Sequence, residues 1–178
     1  MPGGGKSTAG RQIAKRTQRR FVDSDVLIEA RIGEPIRSFF EREGEARFRD
    51  IEAEVIDELS GAGPAVIATG GGAVLRAENR SRLHGRCDVV YLRSSPEELY
   101  RRLRHDTQRP LLQVADPLTR LRELYQLRDP LYRETAHFVI DTGRPTVHAL
   151  VNMVLAQLQL VGILALPDDA AGEPSPPD

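Results

Sequence analysis

A chain of 178 residues is long enough for one domain with a real core and shows no sign of a second. Its 25 Lys and Arg nearly balance 26 Asp and Glu, so the net charge of -1 excludes a global attraction to nucleic acid or to an anionic membrane, and any anion must be bound locally. The single cysteine, Cys87, excludes an internal disulfide, and no apolar run approaches the roughly 20 residues of a membrane-spanning helix.

The N-terminus also lacks the order of a signal peptide, so a soluble protein of a reducing compartment, the cytoplasm, is expected. The chain opens MPGGGKST, the phosphate-binding GxxxxGK[ST] loop without its first glycine. Gly3, Gly4 and Gly5 let backbone N–H groups curl around phosphate oxygens, Lys6 reaches the β- and γ-phosphates, and the Ser7 hydroxyl suits Mg²⁺. A flexible Gly-rich terminus is the bland alternative, but Lys-Ser-Thr and an amphipathic helix over Thr8 to Arg19 follow in place. Phe21-Val22 starts a strand that ends in VDSD, where Asp23 and Asp25 are two apart and face one side. Asp25 alone would read equally well as a helix cap.

Helices are expected over Asp25 to Ile32, Pro35 to Arg42 and Glu45 to Leu59, a helical insertion after the strand. Within FEREGEARFRDIE, Glu52 lies three residues after Arg49, within reach of its guanidinium; otherwise this is a charged helix face with two core phenylalanines, Phe40 and Phe48. VIAT at 66–69 is a strand, and TGGGAV follows it directly. Gly70, Gly71 and Gly72 form a turn that is also a surface to which a ligand can come close. DVVYL at 88–92 and FVI at 138–140 are further strands, and their alternation with helices predicts βαβ units and a parallel sheet. Between them stand a helix from Pro96 to about His105, an aperiodic lid with Arg109-Pro110, a helix over Leu118 to Leu127, and a helix boundary before Pro130. Val147 to Leu160 is the last helix. The four histidines have no metal-ligand spacing and read as structural or exposed.

Taken together, GGGKST, VDSD, FEREGEARFRDIE, TGGGAV, QRPLL at 108–112 and RDPLYRETA at 128–136 resemble the shikimate kinases, in order and spacing, from residue 2 to about 160. The resemblance implies an α/β fold of the P-loop NTPase type: a doubly wound parallel sheet of five strands, order 2-3-1-4-5, flanked by helices. It also implies that the first of those strands is absent from this chain. The activity implied is ATP-dependent phosphorylation of the 3-hydroxyl of shikimate, a step toward chorismate and the aromatic amino acids.

By the same resemblance, Lys6, Asp25 and Arg109 are catalytic, and Asp25, Arg49, Gly70, Gly71, Gly72 and Arg128 bind shikimate, the two arginines on its carboxylate. Gly3, Gly4, Gly5, Lys6, Ser7, Thr8, Arg102 and Arg109 contact ATP, Arg102 by stacking on adenine, and Ser7 and Asp23 serve Mg²⁺. The expected organisation is one domain over 1–164, with substrate-binding helices over about 25–60 and a lid over about 105–117, then a disordered acidic Pro-rich tail over 165–178. A monomer with no nucleic-acid or membrane partner is expected. A kinase for another hydroxy acid such as gluconate is a competitor, disfavoured by two arginines set for one carboxylate. A ligand-sensing regulatory module of the same fold is another, disfavoured because Asp23, Asp25 and Arg109 are all present. The natural protein is expected to begin about ten residues upstream of Met1, with Leu160 to Leu166 as the end of the last helix and not a substitute strand.

Overall fold

Short apolar runs make the strands and longer amphipathic runs make the helices that cover them, in a computed structural model that describes residues 5–103, 114–143 and 146–164. Chain order is α1 (Lys6–Arg16), β1 (Arg20–Asp23), α2 (Ser24–Ile32), α3 (Ile36–Gly61), β2 (Ala65–Ala68), a 3₁₀ turn (Ala73–Leu75), α4 (Ala77–Arg86), β3 (Val90–Arg93), α5 (Pro96–Leu103), α6 (Pro117–Thr135), β4 (Phe138–Asp141) and α7 (Val147–Leu160). β1 runs parallel to β2 in the register Arg20↔Ala65 to Asp23↔Ala68, and β3 runs parallel to β4 from Val90↔Phe138 to Arg93↔Asp141. This is the alternating parallel α/β arrangement expected.

Among the described strands, β2 pairs only with β1 and β3 only with β4. A slot of about 540 Å³ lies between the two pairs, lined by Val66 and Ala68 of β2, Val90 and Leu92 of β3, Ile13 of α1 and Leu164. The helices carry the joint: Ala9 of α1 is buried with Leu150, Val151 and Leu155 of α7, and Leu92 and Ile140 pack against that cluster.

The two helices expected over Pro35 to Leu59 are both present within α3, separated at Gly44, whose non-helical backbone with φ of 82° is available to glycine without strain. Two boundaries differ from those expected. α6 does not stop before Pro130 but continues to Thr135 with the proline inside it. The proline sacrifices one backbone hydrogen bond, while burial of Leu121, Leu124 and Tyr132 along the same helix offsets that loss. After Leu160, the last residue of α7, the chain turns at Gly162, and the Ile163 N–H donates to Leu158 O at 2.9 Å, so the described residues 161–164 do not prolong the helix, as Leu160 to Leu166 was expected to. The expectations for the tail and for most of the lid lie outside the described residues.

Candidate active site

The nucleotide end is built where α1 begins. Gly5, in the left-handed conformation, caps α1, so the free N–H groups and positive end of that helix are presented beside Lys6. Ser7 Oγ donates to Asp23 Oδ2 at 2.6 Å, which joins the first turn of α1 to the end of β1. Asp23 Oδ1 also accepts from the Asp25 N–H at 3.1 Å and so caps α2. One carboxylate thereby fixes both the hydroxyl and the start of the helix that carries Asp25. A hydroxyl and a carboxylate are hard oxygen donors of the kind Mg²⁺ prefers, and the pair leaves most of a coordination sphere for phosphate and water. Thr8 follows on the same turn, and Gly3 and Gly4 lie outside the described residues.

The acceptor end is built around the turn Gly70–Gly72. Ser24, fully buried, accepts the Gly70 N–H at 3.1 Å and ties the turn to the start of α2. A Cβ on Gly70 would stand 2.5 Å from Asp25 Oδ1 and 3.2 Å from Glu52 Oε1, so two carboxylates press on bare backbone there. A Cβ on Gly72 would collide with the Arg49 guanidinium. From the opposite side, Arg128 Nη1 and the Tyr132 hydroxyl donate to Gly71 O at 3.1 and 2.5 Å. Arg49 of α3 and Arg128 of α6, 79 residues apart in sequence, therefore meet on one three-residue turn.

Their states differ in a telling way. Arg49 Nη1 donates to Glu52 Oε2 at 2.6 Å, and Glu52 is only 1% exposed, so this contact holds the side chain in place. Its Nε and Nη2 donate to Glu45 at 3.2 and 3.1 Å, but Glu45 is 61% exposed, and a pair of that kind yields readily to a competing anion. The guanidinium lies over Phe48 and Phe40, 5.2 and 5.9 Å from their ring centroids. Arg128 Nε is buried with no hydrogen-bond partner, a cationic donor without an acceptor.

Burial raises the Asp25 carboxyl above its ordinary value, the charge of Asp23 raises it further, and Lys6 pulls it back. Glu52 is raised by burial too, against the opposing pull of Arg49. The site thus holds a carboxylate with enhanced basicity beside Lys6, and two arginines against the glycine turn. Such an arrangement can hold a carboxylate, orient hydroxyl groups and accept a proton.

Arg102 stands elsewhere. It donates to Ser94 Oγ at 3.2 Å and to the carbonyls of Thr142 and Gly143 at 2.7 and 3.0 Å, which pins α5 to the segment after β4. Arg109 lies outside the described residues. Sequence reasoning singled out neither Ser24 nor Tyr132. Ser24 stands between the two aspartates of VDSD as the first residue of α2, and its buried place follows from the start of that helix, which the spacing of Asp23 and Asp25 gives no reason to single out. Tyr132 is four residues after Arg128 and so shares its helix face, a signal that was available.

A family model described as shikimate kinase matches residues 2–159. The shikimate kinase of Burkholderia pseudomallei (strain K96243) is 59% identical over 167 residues, covering 94% of this chain and 91% of the relative. That of Paracidovorax citrulli is 60% identical over 166 residues, covering 92% and 91%. Among solved structures, the shikimate kinase from Acinetobacter baumannii in complex with shikimate aligns with a TM-score of 0.86 at 42% identity, covering 91% of this chain and 90% of that one. The enzyme from Aquifex aeolicus aligns at 0.78 and 30%, covering 89% and 92%.

Proposed function

The chain belongs to the shikimate kinase family, and from that membership we infer that it transfers the γ-phosphoryl group of ATP to the 3-hydroxyl of shikimate, a reaction of the cytoplasm on the route to the aromatic amino acids. The observation that carries the assignment of the site is the meeting of Arg49 and Arg128 on the Gly70–Gly72 turn, beside Asp25. A planar guanidinium matches a carboxylate with two parallel hydrogen bonds. The buried Arg128 Nε lacks an acceptor that a bound carboxylate would provide, and Glu45 can yield its place on Arg49 to the same group. Phe40 and Phe48, with centroids 4.5 Å apart, supply an apolar wall for the ring.

Asp25 accepts the proton of the attacking hydroxyl as that oxygen bonds to the γ-phosphorus and the bond to the ADP oxygen breaks. Its raised basicity suits this role. Lys6, the loop Gly3–Gly5, Ser7 and Thr8 hold the phosphates, and the geometry supplies positioning more than covalent chemistry. Ser7 and Asp23 would hold Mg²⁺, which when bound offsets phosphate charge. Arg109 is assigned to the lid over about 105–117, closing on the transferring group and excluding water. Arg102 is assigned to the adenine, although its hydrogen bonds to Thr142 O and Gly143 O tie its guanidinium to the segment after β4. The protein is proposed to act as one domain over residues 1–164, as a monomer.

The test is ADP release measured with shikimate, quinate and gluconate offered separately. Turnover with shikimate well above the others is expected; equal turnover with gluconate, or none with shikimate, refutes the assignment.

A further inference from the structure

Tyr132 belongs to neither the nucleotide loop nor the set of groups expected to touch the acceptor, yet it stands against both Arg128 and the glycine turn. Its hydroxyl donates to Gly71 O, the same carbonyl that Arg128 Nη1 uses, and Arg128 also hydrogen-bonds the phenol oxygen. The ring below is held in the core, stacked on Tyr91 with centroids 4.8 Å apart, and Tyr91 donates to Asp129 at 3.0 Å. Burial pushes the Tyr132 phenol up to about 12, so it remains a donor throughout the pH range of activity. The result is a rigid post rising from the core to a carbonyl and a guanidinium that face the acceptor.

We propose that Tyr132 is a positioning residue for the acceptor carboxylate, setting the orientation of Arg128 and of the Gly70–Gly72 turn through its hydroxyl without touching the substrate. This rests on the shikimate reading of the site. Arg128 on its own would be a poor clamp, because an arginine side chain has several rotatable bonds and its ordering costs free energy at the moment of binding. With Gly71 O and the phenol fixing its Nη edge, the buried Nε is left aimed at whatever acceptor arrives.

The test compares the wild type with Tyr132→Phe, which keeps the stacked ring and deletes only the hydroxyl. The KM for shikimate should rise about five- to tenfold, the factor expected for loss of one hydrogen bond at the site. The kcat and the KM for ATP should change by less than about twofold, because neither the phosphate loop nor Asp25 rests on this residue. With the carboxamide of shikimate, which cannot accept a charge-assisted pair, the difference between the two proteins should shrink. Tyr91→Phe serves as the control: it deletes the neighbouring core hydroxyl and should leave the KM for shikimate unchanged. An unchanged KM in Tyr132→Phe overturns the proposal, as does a rise in both KM values together or an equal penalty for the carboxamide. If Tyr132→Phe does not fold, isotope-edited NMR of the Arg128 Nε proton in the wild type decides. A slowly exchanging signal that shifts on adding shikimate is expected, and a freely exchanging one overturns the proposal. A wild type that ignores shikimate refutes the function itself and not this residue's part in it.

Discussion

Asp25 is placed where its charge is expensive. The native state raises its pKa, chiefly by burial, so folding binds the proton more tightly than the unfolded chain does. The stability this supplies is complete below the unfolded value and is lost as pH rises through the folded one, which leaves an ionised, strained carboxylate at neutral pH. Asp25→Asn is therefore expected to raise Tm at pH 7–8 by roughly 1–3 °C while lowering kcat by ~100- to 10,000-fold, the usual range for a lost general base. The gain in Tm should disappear at pH 3, where the wild-type carboxyl is already protonated. Differential scanning calorimetry at the two pH values checks it, and near-wild-type turnover would return Asp25 to a capping role. Lys6 permits an independent check, because the chain has only two lysines, Lys6 and Lys15. Amine acylation followed by peptide mass mapping should show ATP shielding Lys6 and leaving Lys15 unaffected.

At the scale of elements, the glycine turn separates two functions that a single position could not. The nearest atoms a Cβ would meet at Gly70 belong to the Asp25 carboxylate, and those at Gly72 to the Arg49 guanidinium, in both cases side-chain ends and not backbone. Gly70→Ala should thus lower kcat more than it raises the KM for shikimate, and Gly72→Ala should do the reverse, each by about tenfold or more, with Tm within a few degrees of wild type. Equal effects on both parameters in both variants would show that the turn serves only the fold.

Much of this was legible in the chain. The strands carry concentrated β-branched and apolar residues, α7 has a regular apolar stripe, and Arg49 and Glu52 are three apart on a helix, so their contact follows from spacing alone. α4 was not legible, because AENRSRLHGR buries only Asn79 and Leu83 and has no stripe to read. The run of α6 through Pro130 was hidden for a different reason, since tertiary burial on both sides of the proline overrides a local rule. Nor could spacing distinguish Arg102 from its neighbours in RRLR, as two of its three partners, Thr142 and Gly143, come from a segment about 40 residues away.

For the whole molecule, the slot leaves β2 and β3 each with one unpaired edge among the described strands. In a parallel pair every second amide of a strand points to one side, so alternate amides of β2 and of β3 should exchange with solvent far faster than those facing β1 and β4. Hydrogen exchange followed by NMR gives the pattern directly, and uniform protection along both strands would mean that the slot is filled. The same division has a consequence for how the protein melts. Asp25, Arg49 and the glycine turn follow the β1–β2 pair, while Arg128 and Tyr132 arrive from α6, which leads into β4. Shikimate bound between them would act as a rivet across a seam that no pairing among the described strands closes. Beyond the mass-action rise in Tm that any ligand brings, saturating shikimate should sharpen the calorimetric transition, so that two cooperative units unfold as one.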